Sequence, residues 1–135
     1  MRRIGLVLIL LIAIQLSTVS IRVRSETHIT SLPYEITSPG HYVLDTDWSG
    51  YANPLIKISS SDVVLDCSGR KLTGTGSGTC IRVEGVNNVT IHLPEIEMWY
   101  YGVYVKDSSN ITLMIESNIT ICDIGMYLYL SLIHI

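Results

Sequence analysis

The chain of 135 residues has room for one ordinary domain, and its 47% apolar content with a net charge of -3 excludes the class of weakly hydrophobic, highly charged chains that stay disordered. It holds no Phe but 8 Tyr, together with frequent Val, Ile and Thr, a mixture that suits pleated strands better than helices.

In chain order, residues 1–20 read as a signal peptide. Arg2 and Arg3 give a positive start, Ile4 to Ile14 form an unbroken apolar or glycine run, and Thr18 and Ser20 supply small side chains for cleavage. The alternative is an uncleaved membrane anchor, but the run falls short of the roughly 20 apolar residues that span a bilayer, and Arg22 and Arg24 follow it. The expected location is therefore extracytoplasmic (secreted, periplasmic or cell surface), with membrane contact only through this segment. Beyond it, 7 Lys and Arg face 12 Asp and Glu, which argues against a nucleic-acid partner because phosphate binding relies on clustered cations.

Residues 21–58 read as an N-terminal cap and partial coil. Ser38-Pro39-Gly40 is a turn signal, His41 to Leu44 a short strand, Asp45 to Pro54 a loop, and Leu55 to Ile58 the last strand of an incomplete turn.

Residues 59–135 carry a repeat. Ser61-Asp62-Val63-Val64-Leu65, Asn87-Asn88-Val89-Thr90-Ile91 and Ser109-Asn110-Ile111-Thr112-Leu113 begin alike, with 26 residues from Asp62 to Asn88 and 22 from Asn88 to Asn110. Each unit divides into three alternating stretches. The inward positions are Val63, Leu65, Leu72, Ile81 and Val83 in the first. Val89, Ile91, Ile96, Met98, Val103 and Val105 serve the second, and Ile111, Leu113, Ile119, Ile121, Met126 and Leu128 the third. Three period-two strands per turn with no helix between them predict an all-β fold, a right-handed single-stranded parallel β-helix of about three coils plus the cap. Asp62, Asn88 and Asn110 fall at one corner, where Asn and Asp tolerate left-handed backbone. The last residues, Ser131 to Ile135, are apolar and end abruptly, so the C-terminal coil is expected to be open and prone to self-association.

The run Ile36 to Leu44, the segment Ser60 to Asp66 and the Asn-Val-Thr-Ile and Asn-Ile-Thr-Leu stretches resemble NosD-like and pectate-lyase-like right-handed β-helix proteins over about residues 29 to 131. The resemblance specifies fold more than function, because its recurring residues are corners and ladders. Relatives usually continue for more coils, so the chain looks truncated beside them. Where similar sequences commonly have glycine, this one has Cys67 and Cys80, and the paired change suggests a disulfide; separately buried thiols are the alternative.

Enzymes similar in fold place carboxylates along one exposed sheet. Glu95 and Glu97 project to the same side of one strand, but the acids are otherwise scattered and no catalytic residue is assigned. Trp99, Tyr101, Tyr104 and Tyr127 are candidates for a flat platform that binds sugar rings. Asn88, Asn110 and Asn118 each begin an Asn-x-Thr sequon, a candidate glycosylation site in an exported chain. His28, His41, His92 and His134 are dispersed in sequence, so no metal site and no cofactor is expected. The favoured expectation is an exported non-catalytic β-helix, structural or carbohydrate-binding at the cell surface, its partner a polysaccharide or other envelope component. A fragment of a carbohydrate-active lyase or hydrolase is the first alternative, and an accessory protein for copper-site maturation, as the NosD resemblance implies, is the second.

Overall fold

The computed structural model describes residues 25–120, 122–129 and 133–135; the leader assigned to residues 1–20 and the inward position of Ile121 lie outside them. Every described element is a strand, and every strand pairing is parallel. The first sheet stacks β1 (Glu26–Ile29), β3 (Gly40–Leu44), β6 (Val63–Asp66), β9 (Asn87–His92), β12 (Ser109–Met114) and β15 (Ile133–His134). The second stacks β4 (Trp48–Ser49), β7 (Lys71–Thr73), β10 (Glu95–Glu97) and β13 (Ile119–Thr120). The third stacks β2 (Tyr34–Ile36), β5 (Ile56–Ile58), β8 (Thr79–Glu84), β11 (Tyr101–Lys106) and β14 (Ile124–Tyr129). The chain visits the three sheets in turn, forming a parallel β-solenoid of about four turns.

Register follows the apolar alternation. Val63 pairs with Val89 and Val89 with Ile111, while Ile56, Ile81, Val103 and Met126 form a column on the third sheet. Trp48, Leu72, Ile96 and Ile119 form one on the second. A one-residue slip would turn each column out to water, so burial fixes the register. Asp62, Asn88 and Asn110 take φ of 58, 58 and 52° at their common corner. There the Asn88 amide donates to Asp62 Oδ1 at 2.8 Å and the Asn110 amide to Asn88 Oδ1 at 3.4 Å.

The coil pattern reaches further toward the N-terminus than the repeat in the sequence indicates. Residues 40–58 form a complete turn, β3–β4–β5, and β1 and β2 pair in register above it. The strand β4 is two residues long, Trp48 and Ser49, between Asp47 and Gly50, so it shows no alternation to read.

One inward assignment is corrected. Met98 adopts φ of 60° at a corner and is exposed, and the phase shift this causes sends Trp99 inward in its place. Leu128 holds the inward register position of the buried Val105, as its alternation predicts, and is 44% exposed.

Candidate functional site

The outer face of the third sheet gathers the aromatic residues. Lys57, Arg82, Tyr104 and Tyr127 lie in one column of register partners, and Glu84, Lys106 and Tyr129 in the next. Outward alternation puts these side chains in water because their neighbours Ile81, Val83, Val103 and Val105 fill the interior. Tyr104 stacks on Tyr127 with ring centroids 5.0 Å apart and planes 15° from parallel, and Tyr127 is within 6.5 Å and 12° of Tyr129. Tyr101 stands edge-on to Tyr104 at 5.3 Å and to Tyr127 at 5.4 Å, and Tyr100 edge-on to Tyr101 at 4.7 Å.

This arrangement differs from a flat floor of rings. Rings lying side by side in one plane do not fit at a 5.0 Å separation, so Tyr104 and Tyr127 overlap like tiles and expose edges and hydroxyls more than whole faces. The far side of Tyr104 is covered by the Arg82 guanidinium, 5.0 Å from the ring centroid. Arg82 forms no ion pair among the described residues, and its buried Nε lacks a hydrogen-bond partner. Crowding tells on Tyr101, whose phenol is pushed up first by loss of water and then by Tyr100, Tyr127 and Tyr104.

Of the four platform candidates, the structure therefore brings Tyr101, Tyr104 and Tyr127 together and removes Trp99. Trp99 is fully buried, with its indole Nε1 donating to the Leu72 carbonyl at 3.0 Å. A buried indole with its one donor satisfied is a core anchor and cannot meet a ligand. Arg82, Tyr100 and Tyr129 join the cluster without having been assigned to it. The signal for Arg82 was its spacing of about one coil from Tyr104, which puts both in one column.

The acids on the second sheet are engaged. The Lys71 ammonium lies 2.8 Å from Glu97 and 3.3 Å from Glu95, one coil away, and these carboxylates push the lysine up, Glu97 most. On the other side of Lys71, Asp47 Oδ1 accepts the Lys71 backbone N–H at 3.0 Å.

Cys67 and Cys80 are both buried and stand as free thiols, the alternative to the suggested disulfide. Each fills an interior place. Cys67 follows β6, its N–H donating to the His92 carbonyl, and Cys80 shares a level of the third sheet with Gly102. Burial first, and then the Asp66 carboxylate, pushes the Cys67 thiol up to about 12. Burial, then Cys67 and Cys122, push Cys80 well above the ordinary thiol range. Such thiols pack as small apolar groups.

All three sequon asparagines are exposed, and Asn88 and Asn110 also engage their amides in the corner ladder. The histidines, far apart in sequence, all come to the outer face of the first sheet. Glu26 pairs with His41, His28 with Val43, Asp66 with His92 and Thr112 with His134. Comparison of the chain with protein-family models, with curated proteins and with solved structures found no match.

Proposed function

We propose that this protein is an exported, non-catalytic β-helix of the NosD-like or pectate-lyase-like kind, and that it binds polysaccharide at the cell surface along its tyrosine strip. The observation that carries the reading is the contiguous cluster of Tyr100, Tyr101, Tyr104, Tyr127 and Tyr129 beside an Arg82 that has no carboxylate partner among the described residues. Phenol hydroxyls and ring edges offer hydrogen bonds and apolar contact together, which suits a sugar's mixed surface, and a rigid sheet holds them at no further ordering cost. The leader read at residues 1–20 supports export. Engagement of Glu95 and Glu97 by Lys71 supports a non-catalytic role, since the glutamates that lie on one strand are paired instead of flanking an open cleft.

A carbohydrate-active enzyme remains the second reading. One observation favours it: Asp47, Lys71 and Glu95 lie on three successive coils of the second sheet, Glu95 facing the Lys71 ammonium and Asp47 accepting the Lys71 backbone N–H, so acids of two coils come to one place.

Affinity electrophoresis of the full chain in gels containing neutral or acidic polysaccharides tests the first reading. Retardation by at least one polysaccharide is expected, weakened about tenfold, or ~1.4 kcal/mol, by Tyr104→Ala or Tyr127→Ala. Glu97→Gln should leave it unchanged. Absence of retardation, or equal loss in Glu97→Gln, contradicts the reading. Release of reducing or unsaturated sugar that Glu97→Gln abolishes would establish the enzyme instead.

A further inference from the structure

The three outer faces of the solenoid differ in how their carboxylates are matched. On the third sheet Glu35 faces Lys57 and Glu84 faces Lys106, and on the second sheet Glu95 and Glu97 face Lys71. On the first sheet, among the described residues, the ion pairs of Glu26, Asp45 and Glu116 are with histidine alone. The strand residues pointing outward there are Glu26, His28, His41, Val43, Val64, Asp66, Thr90, His92, Thr112, Met114 and His134, with no Lys or Arg among them. A face of carboxylates and imidazoles without ammonium groups suits a borderline metal ion, which takes neutral imidazole and carboxylate together.

The geometry is most developed at the edge formed by β1 and β3. His28 Nδ1 lies 2.7 Å from Asp45 Oδ2, and since an ionised carboxylate only accepts, the ring proton sits on Nδ1. In the neutral ring that a metal ion takes, the lone pair is then on Nε2, which lies 3.8 Å from Glu26 Oε2. The other oxygen of Glu26, Oε1, lies 3.6 Å from His41 Nδ1. Both separations are too long for hydrogen bonds. They are close to the about 3.4 Å that separates two ligands across a tetrahedral ion with bonds near 2.1 Å. Glu26 stands between the histidines because it is the register partner of His41 and shares a strand and a face with His28.

Among the described residues no three such groups already converge on one point at coordination distance. Glu26 and His28 are about half exposed and His41 less so, so their side chains can change rotamer to close on an ion without disturbing the core. From this geometry we infer that Glu26, His28 and His41 form a binding site for a divalent transition-metal ion of the zinc type. Asp45 orients His28 through its Nδ1–H, as the carboxylate partners of metal-bound imidazoles do. A fourth position is left to water. The site lies on a different sheet from the tyrosine strip and does not depend on the polysaccharide reading.

The test is titration of the full chain with zinc chloride by calorimetry, and with cobalt(II) by visible absorption, whose intensity reports a four-coordinate site. One equivalent should bind saturably, with His28→Ala and His41→Ala each weakening it at least tenfold. Asp45→Asn should weaken it by about 10- to 100-fold while leaving the ligands in place. His92→Ala, on the same face but outside the site, should bind as the parent does. Failure to saturate at millimolar zinc, or a loss in His92→Ala equal to that in His41→Ala, overturns the inference. Circular dichroism of each variant separates lost ligands from lost folding.

Discussion

Trp99 stacks on Trp48 with ring centroids 6.0 Å apart and planes 21° from parallel, although the two residues belong to coils separated by a whole turn. The contact passes through the place of a missing side chain. At Gly74, on the coil between, a Cβ would lie 2.4 Å from the Met98 carbonyl oxygen and 2.7 Å from the Trp99 ring. Glycine at this position is thus a packing requirement of the tryptophan pair.

Gly74→Ala should lower stability by about 1–3 kcal/mol through overpacking and should change the near-ultraviolet circular dichroism of the indoles. Gly69 is the control. A methyl there meets no atom within 4 Å, so Gly69→Ala should cost only the left-handed backbone strain at φ of +74° and leave the indole spectrum intact. Urea unfolding followed by fluorescence measures both.

The corner ladder separates backbone from side-chain contributions. Asn88 holds φ of 58°, so Asn88→Ala should destabilise by about 1–2 kcal/mol more than Asn88→Gly, which removes the same amide but tolerates the backbone. Equal losses would assign the corner's stability to the Asn88–Asp62 hydrogen bond.

How far the sequence revealed this architecture depends on where its alternation runs unbroken. Val63, Val89 and Ile111 were legible as one column because each follows an Asn or Asp corner and begins a period-two strand. The exchange of Met98 for Trp99 was not, because a left-handed residue at a corner shifts the phase by one and period-two counting runs straight through it. Tyr104 over Tyr127 was visible from their coil spacing, whereas their tilted overlap depends on side-chain torsions that no pattern encodes. The histidines look dispersed in the sequence because separation along the chain does not show which residues share a face. In a solenoid, residues whole coils apart come to one face, as His41 and His92 do.

The buried thiols make stability fall in alkali. Unfolded, the Cys67 thiol ionises near 9.0; folded, it holds its proton to about 12. Between these values the native state binds more protons than the unfolded one, so stability is fully present below about pH 9 and is lost as pH rises toward 12, by about 1.4 kcal/mol per pH unit for this thiol. Cys80 adds to the loss in the same direction. Denaturant midpoints of the parent and of Cys67→Ala should converge as pH rises through this window. At pH 8 a thiol reagent should modify Cys122 in the native protein and reach Cys67 and Cys80 only after unfolding.

The most direct test of the stacked-coil account is methyl nuclear Overhauser spectroscopy of the isotope-labelled chain. Val89 should show cross-peaks to both Val63 and Ile111, its partners on the coils to either side. Cross-peaks joining Val89 to neither, in a chain that is otherwise folded, would show that these residues are not stacked and would contradict the account.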